Sequence, residues 1–236
     1  MNIKETKESL VKKGYTVKLC SSKELAFDYL NQTITGKTVG FGGSQTLTEL
    51  NLRHSLKKNN TVYVPDFPEP DVKPLDTAKL AGGAEVFLLS ANAMSAQGDI
   101  INLDLIGNRL SGSMWGPQKV YFILGINKVG GTLEEAIFRA RHIAGPKNAL
   151  RLHRKTPCAL AVQDKLEKIF LEQQGDKGFN QLDWQTFIQH LSKDELGTHC
   201  YDCTSPDRIC SSMLIHLRKP RGVEAEVVLI EEIMGF

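Results

Sequence analysis

Four of the five cysteines fall in the last third of this 236-residue chain, and their spacing is the strongest sign of chemistry in the sequence. Cys200 and Cys203 form a Cys-x-x-Cys pair, in which a tight turn lets both thiolates point at one metal. Four thiolates suit either a tetrahedral zinc ion or an iron–sulfur cluster. The sequence therefore predicts a metal site whose ligands are Cys158, Cys200, Cys203 and Cys210.

Other side chains near these cysteines leave alternatives open. His199 could supply a nitrogen ligand, and Arg208 could offset the negative charge of four thiolates. A redox dithiol or unliganded buried cysteines would also explain the cluster. The odd number of cysteines, in a chain expected not to be exported, argues against a disulfide framework. Cys20 ends an apolar stretch and is predicted to be a core thiol.

A glycine-rich segment at 40–47 lies between a predicted strand and a predicted helix. Its glycines let backbone N–H groups approach a bound anion, and a helix N-terminus favours negative charge. The segment lacks the lysine of a Walker loop and does not match G-x-G-x-x-G. We predict an anion-binding loop; the alternative is a tight turn that needs positive φ. The residues assigned to it are Gly42, Gly43, Ser44 and Thr46.

Polar residues also follow two buried strands, at the end where open parallel sheets bind ligands. Arg109 has the planar fork that binds a carboxylate or phosphate through two hydrogen bonds. The alternatives are turn capping by the asparagines, an ion pair between Asp104 and Arg109, and a solvated Lys128. No nucleophilic triad is recognisable, so catalytic residues stay unassigned and enzymatic activity is left open. The candidate ligand-binding residues here are Asn92, Asp104, Asn108, Arg109, Asn127 and Lys128.

The elements that must position these residues alternate between strands and helices, which is typical of βαβ units. Two strands are near-continuous apolar runs, as expected in a parallel sheet covered on both faces. We therefore predict an α/β fold, a mostly parallel sheet with helices on both faces. The predicted strands are Tyr15–Cys20, Lys37–Phe41, Thr61–Val64, Ala84–Ser90, Lys119–Gly125 and Val223–Ile230. The predicted helices include Ile3–Lys13, Leu133–Ile143, Leu160–Gln173 and Leu182–Leu191.

Composition limits the class of protein. Hydrophobic residues make up 41% and charged residues 24%, so a packed core is expected. The net charge of +2 and the lack of a basic block give no nucleic-acid footprint. No apolar run has the length of a membrane span, and the first residues are charged. We expect a cytoplasmic protein of one domain, residues 1–236, with a helical insertion at 159–196.

Taken together, the motifs resemble those of the LUD-domain family of lactate-utilisation proteins, formerly called DUF162. The glycine-rich segment, Ser90–Ala93, Gly107–Arg109 and Gly125–Lys128 occur in the order of that family. So do Gly116-Pro117, Arg139–Arg141 and Ala144–Ala149. The resemblance covers roughly residues 5–158 and 197–236. The chain departs from the family at 159–196, where extra residues separate the two parts of the cysteine motif.

The resemblance implies a fold similar to the NagB/RpiA/CoA-transferase-like group, with a cysteine-rich C-terminal segment. It also implies a component of a system that oxidises lactate, or another 2-hydroxy acid, together with an iron–sulfur redox partner protein. The expected cofactor is a 4Fe-4S cluster or zinc, the expected ligand is an anionic small molecule, and homo-oligomers are possible. No flavin or nicotinamide fingerprint is present, so hydride transfer by this chain alone is not expected.

Two other functions stay open. One is a small-molecule enzyme whose fold resembles CoA-transferases or formyltetrahydrofolate cyclo-ligase, for which a bound nucleotide or CoA would be diagnostic. The other is a zinc-stabilised scaffold without catalytic activity. Fold alone does not choose between them.

Overall fold

A six-stranded parallel sheet forms the centre of the molecule, seen in a computed structural model that describes residues 2–174, 188 and 193–236. A second, three-stranded antiparallel sheet lies beside it in the described residues. The strands in chain order are β1 (Thr16–Cys20), β2 (Thr38–Phe41), β3 (Thr61–Tyr63), β4 (Val86–Leu89), β5 (Ala93–Met94), β6 (Ile100–Asp104), β7 (Lys119–Gly125), β8 (Ser212–His216) and β9 (Glu224–Ile230).

The parallel sheet has the order β1-β9-β7-β4-β2-β3, and each of its strands was predicted from the sequence. Neighbouring residues of β4 pack into different clusters of helical side chains. Leu88 joins a core with Leu30, Leu47 and Leu56, and Phe87 joins one with Leu10. Both faces of the sheet are therefore covered, which confirms the predicted α/β fold with a mostly parallel sheet. The helices are α1 (Ile3–Lys12), α2 (Lys23–Thr33), α3 (Gln45–Glu49), α4 (Leu52–Leu56), α5 (Pro74–Gly82), α6 (Asn108–Met114), α7 (Leu133–Arg139), α8 (Gly145–Arg151) and α9 (Pro157–Gln174).

The antiparallel sheet, of order β5-β6-β8, was not predicted. All five residues of β6 are buried, yet Asn102 and Asp104 lie among them, so no apolar run or alternation marks the strand. The strand β8 follows residues 200–210, which we call the cysteine segment. It pairs with β6 from Ile100↔His216 to Asp104↔Ser212. This pairing brings the cysteine segment close to the loops that follow the strands of the large sheet.

The predicted helix Leu133–Ile143 is wrong at its end. Its start is confirmed, because Thr132 and Glu135 form a reciprocal capping box. After α7, however, the chain makes a π-helical turn at Ala140–Ala144 and continues without a break into α8. Pro146 lies in the first turn of α8. The missing N–H of proline there costs little, because the wider turn has already shifted the hydrogen-bond register.

The predicted helix Leu160–Gln173 begins earlier in the structure, as α9 from Pro157, so Cys158 lies in its first turn. The predicted helix Leu182–Leu191 lies outside the described residues apart from position 188. A single helical turn at Lys193–Leu196 precedes the cysteine segment. No helix within the described ranges has both the length and the apolar character that crossing a membrane requires.

Candidate functional site

Three neighbouring strands, β2, β4 and β7, end at the same edge of the parallel sheet. The loops that follow them carry most of the polar residues singled out in the sequence. These loops are 42–44 after β2, 90–92 after β4 and 126–128 after β7. Parallel register thus brings together residues that are far apart in the chain, at the edge where open α/β sheets bind ligands.

Lys128 and two hydroxyl groups form a buried polar cluster at this edge. The Lys128 Nζ donates to Thr46 Oγ1 at 2.9 Å and to Ser90 Oγ at 3.0 Å. Lys128 is only 4% exposed, so the alternative of a solvated surface lysine is wrong. Burial lowers the pKa of Lys128 to about 7, with Arg139 lowering it further and Glu49 opposing. An amine with this pKa is partly neutral at physiological pH and can act as a base or nucleophile.

Residues 234–236 cover the buried cluster. Thr46 Oγ1 donates to the carbonyl oxygen of Met234 at 3.3 Å, and the Gly235 N–H donates to Glu49 Oε2 at 2.9 Å. Asn127 holds the same segment from the other side, because its Oδ1 accepts from the Met234 N–H at 3.0 Å. Thr46, Asn127 and Lys128 are therefore close together, but they do not line the large cavity described below.

The glycine-rich segment is explained by close packing. A Cβ at Gly40 would lie 2.1 Å from the carbonyl oxygen of Ala81 in α5, and one at Gly42 would lie 2.8 Å from Arg109 Cγ. Neither glycine, nor Gly43, has positive φ, so the alternative of a turn needing positive φ is wrong. The Ser44 hydroxyl accepts from the Leu47 N–H and caps α3, so its side chain is already occupied.

A cavity of about 500 Å³ opens beside this segment, between the strand ends, α8 and the cysteine segment. That volume lies within the usual range of small-molecule sites. A smaller cavity of about 220 Å³ lies on the other side of the loop and is lined by Gly42 and Ser44. Polar and cysteine residues that line the larger cavity are Gly43, Asp66, Asn92, Asp104, Asn108, Arg109, Asn148, Arg151, Arg154 and Cys210.

The guanidinium of Arg109 is occupied by protein acceptors. Its Nε donates to Asp104 Oδ2 at 3.2 Å, and its terminal nitrogens donate to the carbonyl oxygens of Leu103 and Gly43. The ion pair with Asp104, raised as an alternative from the sequence, is thus present. Asn92 is also engaged, because its Oδ1 accepts from the Leu103 N–H at 2.8 Å. These residues shape the cavity wall and fix the strand ends.

Two arginines that the sequence did not single out also line the cavity. Arg151, at the end of α8, donates from Nε to Asn148 Oδ1 at 3.2 Å. The Nε of Arg154 is buried without a hydrogen-bond partner in the described part of the chain. Burial lowers the pKa of Arg151; Asp66 opposes this, and the like charge of Arg109 adds to it. The signal in the sequence was the basic stretch 151–155, but only the fold places it against the strand ends.

The four predicted cysteine ligands lie in one region of the molecule, and Cys210 lines this cavity. Burial raises the pKa of the Cys158 thiol above its ordinary value, and a hydrogen bond with Thr156 opposes this. Cys203, Cys210 and Cys200 also raise the pKa of this thiol, so each of them lies near enough to Cys158 to act on it electrostatically. Cys20 is 2% exposed in the core of the parallel sheet, as predicted.

Donors surround the cysteine segment. Arg141 and the Asp202 N–H donate to Cys200 Sγ at 3.7 and 3.4 Å. Arg208 donates to the carbonyl oxygens of Cys203 and Cys210, at 2.6 and 3.1 Å. These contacts fix the conformation of the cysteine segment, because each donor holds a sulfur or a carbonyl oxygen in place.

The π-helical turn links the cysteines to the strand ends. His142, in the turn, accepts the Cys200 N–H at Nδ1 at 3.1 Å. The ring of His142 is also stacked on that of Phe138 and tilted against that of His199, with 4.8 Å between the two histidine ring centroids. Arg139, just before the turn, donates to the carbonyl oxygens of Asn127 and Asn92 at the strand ends. One helix therefore holds both parts of the candidate site, as π-turns at functional sites often do.

The donor set fits a thiolate-bound group, but it is not a closed site for a single ion. No group of three or more His, Cys, Asp or Glu side chains in the described ranges is arranged to hold one metal ion. Zinc would need each thiolate within about 2.3 Å of its centre. An iron–sulfur cluster is larger than one ion and holds its thiolates further apart. Four converging thiols with N–H donors to sulfur suit the chemistry of such a cluster.

The fold and the site together define a class of protein: an α/β protein with a polar cavity at the strand ends, beside a segment that carries three cysteines. A comparison with protein families identifies it further, because the model of the LUD domain matches residues 3–230. The chain belongs to the LUD-domain family. A search of curated proteins finds no match to it. One similar solved structure is a DUF162 family protein from Deinococcus radiodurans, 10% identical, covering 97% of this chain and 95% of that chain with a TM-score of 0.47.

Proposed function

We propose that this LUD-domain protein is a redox component of a system that oxidises lactate or a related 2-hydroxy acid. The observation that carries the proposal is the position of Cys210, which lines the same cavity as Gly43, Asn92 and Arg109. A ligand in that cavity would therefore lie directly beside the four-cysteine cluster. The family resemblance supports lactate or a similar acid as the substrate of the system.

The cofactor in this proposal is an iron–sulfur cluster held by Cys158, Cys200, Cys203 and Cys210. When bound, such a cluster accepts and donates single electrons. The chain's own residues would hold one ligand in place, since Arg141 and the Asp202 N–H donate to the Cys200 sulfur. Hydride removal from the 2-hydroxy acid would belong to a partner protein, because the sequence has no flavin or nicotinamide fingerprint.

The test is the metal content of protein purified without oxygen. We expect a broad absorption band in the visible range and about four irons and four sulfides per chain. The variant Cys203→Ser should lose both, because it removes one thiolate ligand. Cys20→Ser is the matched control: it alters a thiol in the distant core and should keep the cluster. One zinc per chain, or no metal at all, would contradict the proposal.

A second function, a small-molecule enzyme acting on an anionic ligand, is favoured by the cavity at the strand ends. Its volume of about 500 Å³ suits a small molecule, and Arg109, Arg151 and Arg154 in its lining suit an anion. Mass spectrometry of small molecules released on denaturation distinguishes the two functions. A nucleotide or CoA released from metal-free protein would favour the enzyme; iron and sulfide without such a ligand would favour the redox component.

A further inference from the structure

We infer that Arg151 and Arg154 bind the anionic group of the cavity's ligand, and that this group has enough oxygens to accept from both, as a phosphoryl group or a dicarboxylate does. The inference deepens the proposed function and uses its cavity. It can fail separately, because anion binding and metal content are measured independently.

The first step is the difference between three arginines in one cavity. The guanidinium of Arg109 has protein acceptors at all three nitrogens, including Asp104. Arg151 and Arg154 do not: in the described part of the chain, the terminal nitrogens of both residues make no hydrogen bond or ion pair. A partly buried guanidinium without acceptors has lost water that nothing in the protein replaces.

The second step is the balance of charge at the cavity wall. Arg109, Arg151 and Arg154 all line the cavity, while its acidic residues are Asp66 and Asp104. Asp104 is already paired with Arg109. Asp66 lies near Arg151, since it raises the pKa of that arginine, but no hydrogen bond joins them. The wall therefore keeps a net charge of +1 from these five residues, and two guanidinium forks whose terminal nitrogens lack acceptors among the described residues. A phosphoryl group or a dicarboxylate has enough oxygens to accept from both forks.

The third step is the size and the apolar lining of the cavity. Its volume of about 500 Å³ is far more than a three-carbon acid such as lactate fills. The lining also includes Leu75, Leu105 and Ile106, all of which are exposed. A ligand with a carbon portion as well as the dianionic end would cover these side chains and fill the space.

The test uses the purified full chain and isothermal titration with inorganic phosphate, succinate and lactate, above neutral pH and at constant ionic strength. We expect one of the two dianions, phosphate or succinate, to bind more tightly than lactate. Preference for phosphate would indicate a phosphoryl group, and preference for succinate a dicarboxylate. Arg151→Gln and Arg154→Gln should each weaken that binding by roughly ten- to a hundredfold, since each loses charge-assisted hydrogen bonds. Arg221→Gln, an exposed arginine outside the cavity, is the control for net charge and should bind as the parent does.

Thermal unfolding of each variant shows whether weak binding reflects a lost contact or a protein that no longer folds. The Arg154→Gln variant should melt close to the parent, because the Arg154 guanidinium has no bonds to lose in the described residues. For Arg151, the variant Arg151→Lys keeps the charge and removes the fork. The inference is overturned if no dianion binds the parent, if lactate binds as tightly, or if folded Arg151→Gln and Arg154→Gln variants bind like Arg221→Gln. Loss of the cluster with retained anion binding would instead contradict only the redox proposal.

Discussion

Buried cations are concentrated where the strands of the large sheet end, although the whole chain carries a net charge of only +2. Lys128 is 4% exposed, and Arg139 bridges two loops from a buried position in which its pKa is lowered by burial. Lys147, also 4% exposed, has its pKa lowered to about 8, again mainly by burial. Burial disfavours the charged form of each of these groups, and the lowered pKa values of the two lysines express that cost.

Lys128 should make the stability of the protein depend on pH in a specific window. Its pKa is lowered from 10.5 to about 7 in the folded state, so between these values the unfolded chain binds more protons. The free energy of unfolding should therefore rise with pH through this window, by at most about 1.4 kcal/mol per pH unit from this group. Lys128→Met should flatten the rise in denaturant titrations between pH 7 and 10.

The control for this prediction is Lys7→Met, which replaces an exposed lysine of α1 and should leave the slope unchanged. Equal slopes for the parent and Lys128→Met would mean that Lys128 is charged in the folded state throughout the window.

At the residue scale, the sequence predicted where polar groups gather better than what each one does. Arg109 was expected to bind the ligand, yet only four residues of chain separate it from Asp104, and the turn between them lets the two pair. Thr46 and Lys128 were expected in the ligand site but lie in the buried cluster behind it. Arg151 and Arg154 were missed, because the direction of a helix end relative to a sheet depends on tertiary packing that no local pattern records.

At the element scale, the close approach of β2 and α5 explains why glycine stands at position 40. The carbonyl of Ala81 occupies the space where a side chain would begin. This contact sets how near α5 lies to the sheet, and α5 provides Pro74, Leu75 and Ala78 to the cavity wall. Gly40 therefore helps to shape the cavity wall through packing, although it begins the segment that was predicted to bind an anion.

Replacing Gly40 with alanine should destabilise the fold by about 3 kcal/mol or more, because a backbone group would have to move. Urea denaturation followed by circular dichroism measures this cost. Gly82→Ala is the matched control. Gly82 ends α5, the helix that contacts Gly40, and a Cβ there meets no atom within 4 Å. It should change the stability by no more than about 1 kcal/mol, in the stabilising direction. A Gly40→Ala variant as stable as Gly82→Ala would contradict the described contact.

Elements of the large sheet could be predicted because burial on both faces leaves an unmistakable apolar run, as in β4 and β7. The small sheet could not be predicted, because β6 buries Asn102 and Asp104, and β8 pairs with it from far along the chain. The π-helical turn was also missed: Ala140–Ala144 contains good helix formers, and its wider register depends on contacts at both ends.

At the scale of the whole molecule, residues 234–236 fasten α9 to the strand ends. Phe236 is 3% exposed and packs with Val162 and Leu166 of α9, while Met234 joins the core of the large sheet. Because α9 also carries Cys158 in its first turn, this contact helps to place one of the four thiols.

Phe236→Ala should lower the free energy of unfolding by about 3–5 kcal/mol, the usual cost of emptying a buried phenylalanine site. It should also reduce iron incorporation, because α9 would no longer be held. Thermal unfolding and iron analysis of the same preparation measure both effects. Phe67→Ala, at a position 55% exposed, should cost about 1 kcal/mol or less; equal losses for the two variants would show that Phe236 is not packed as described.

The π-helical turn at Ala140–Ala144 determines how the side chains of α8, which follows it, are rotated about the helix axis. A π turn contains one residue more than an α turn, and each residue rotates a helix by about 100°. Arg139 precedes the extra residue and faces the strand ends, whereas Arg151 follows it and faces the cavity. A related protein without the extra residue would present a different face of α8 to the same cavity. The length of one helical turn can therefore change which side chains meet the ligand while the sheet that supports them stays the same.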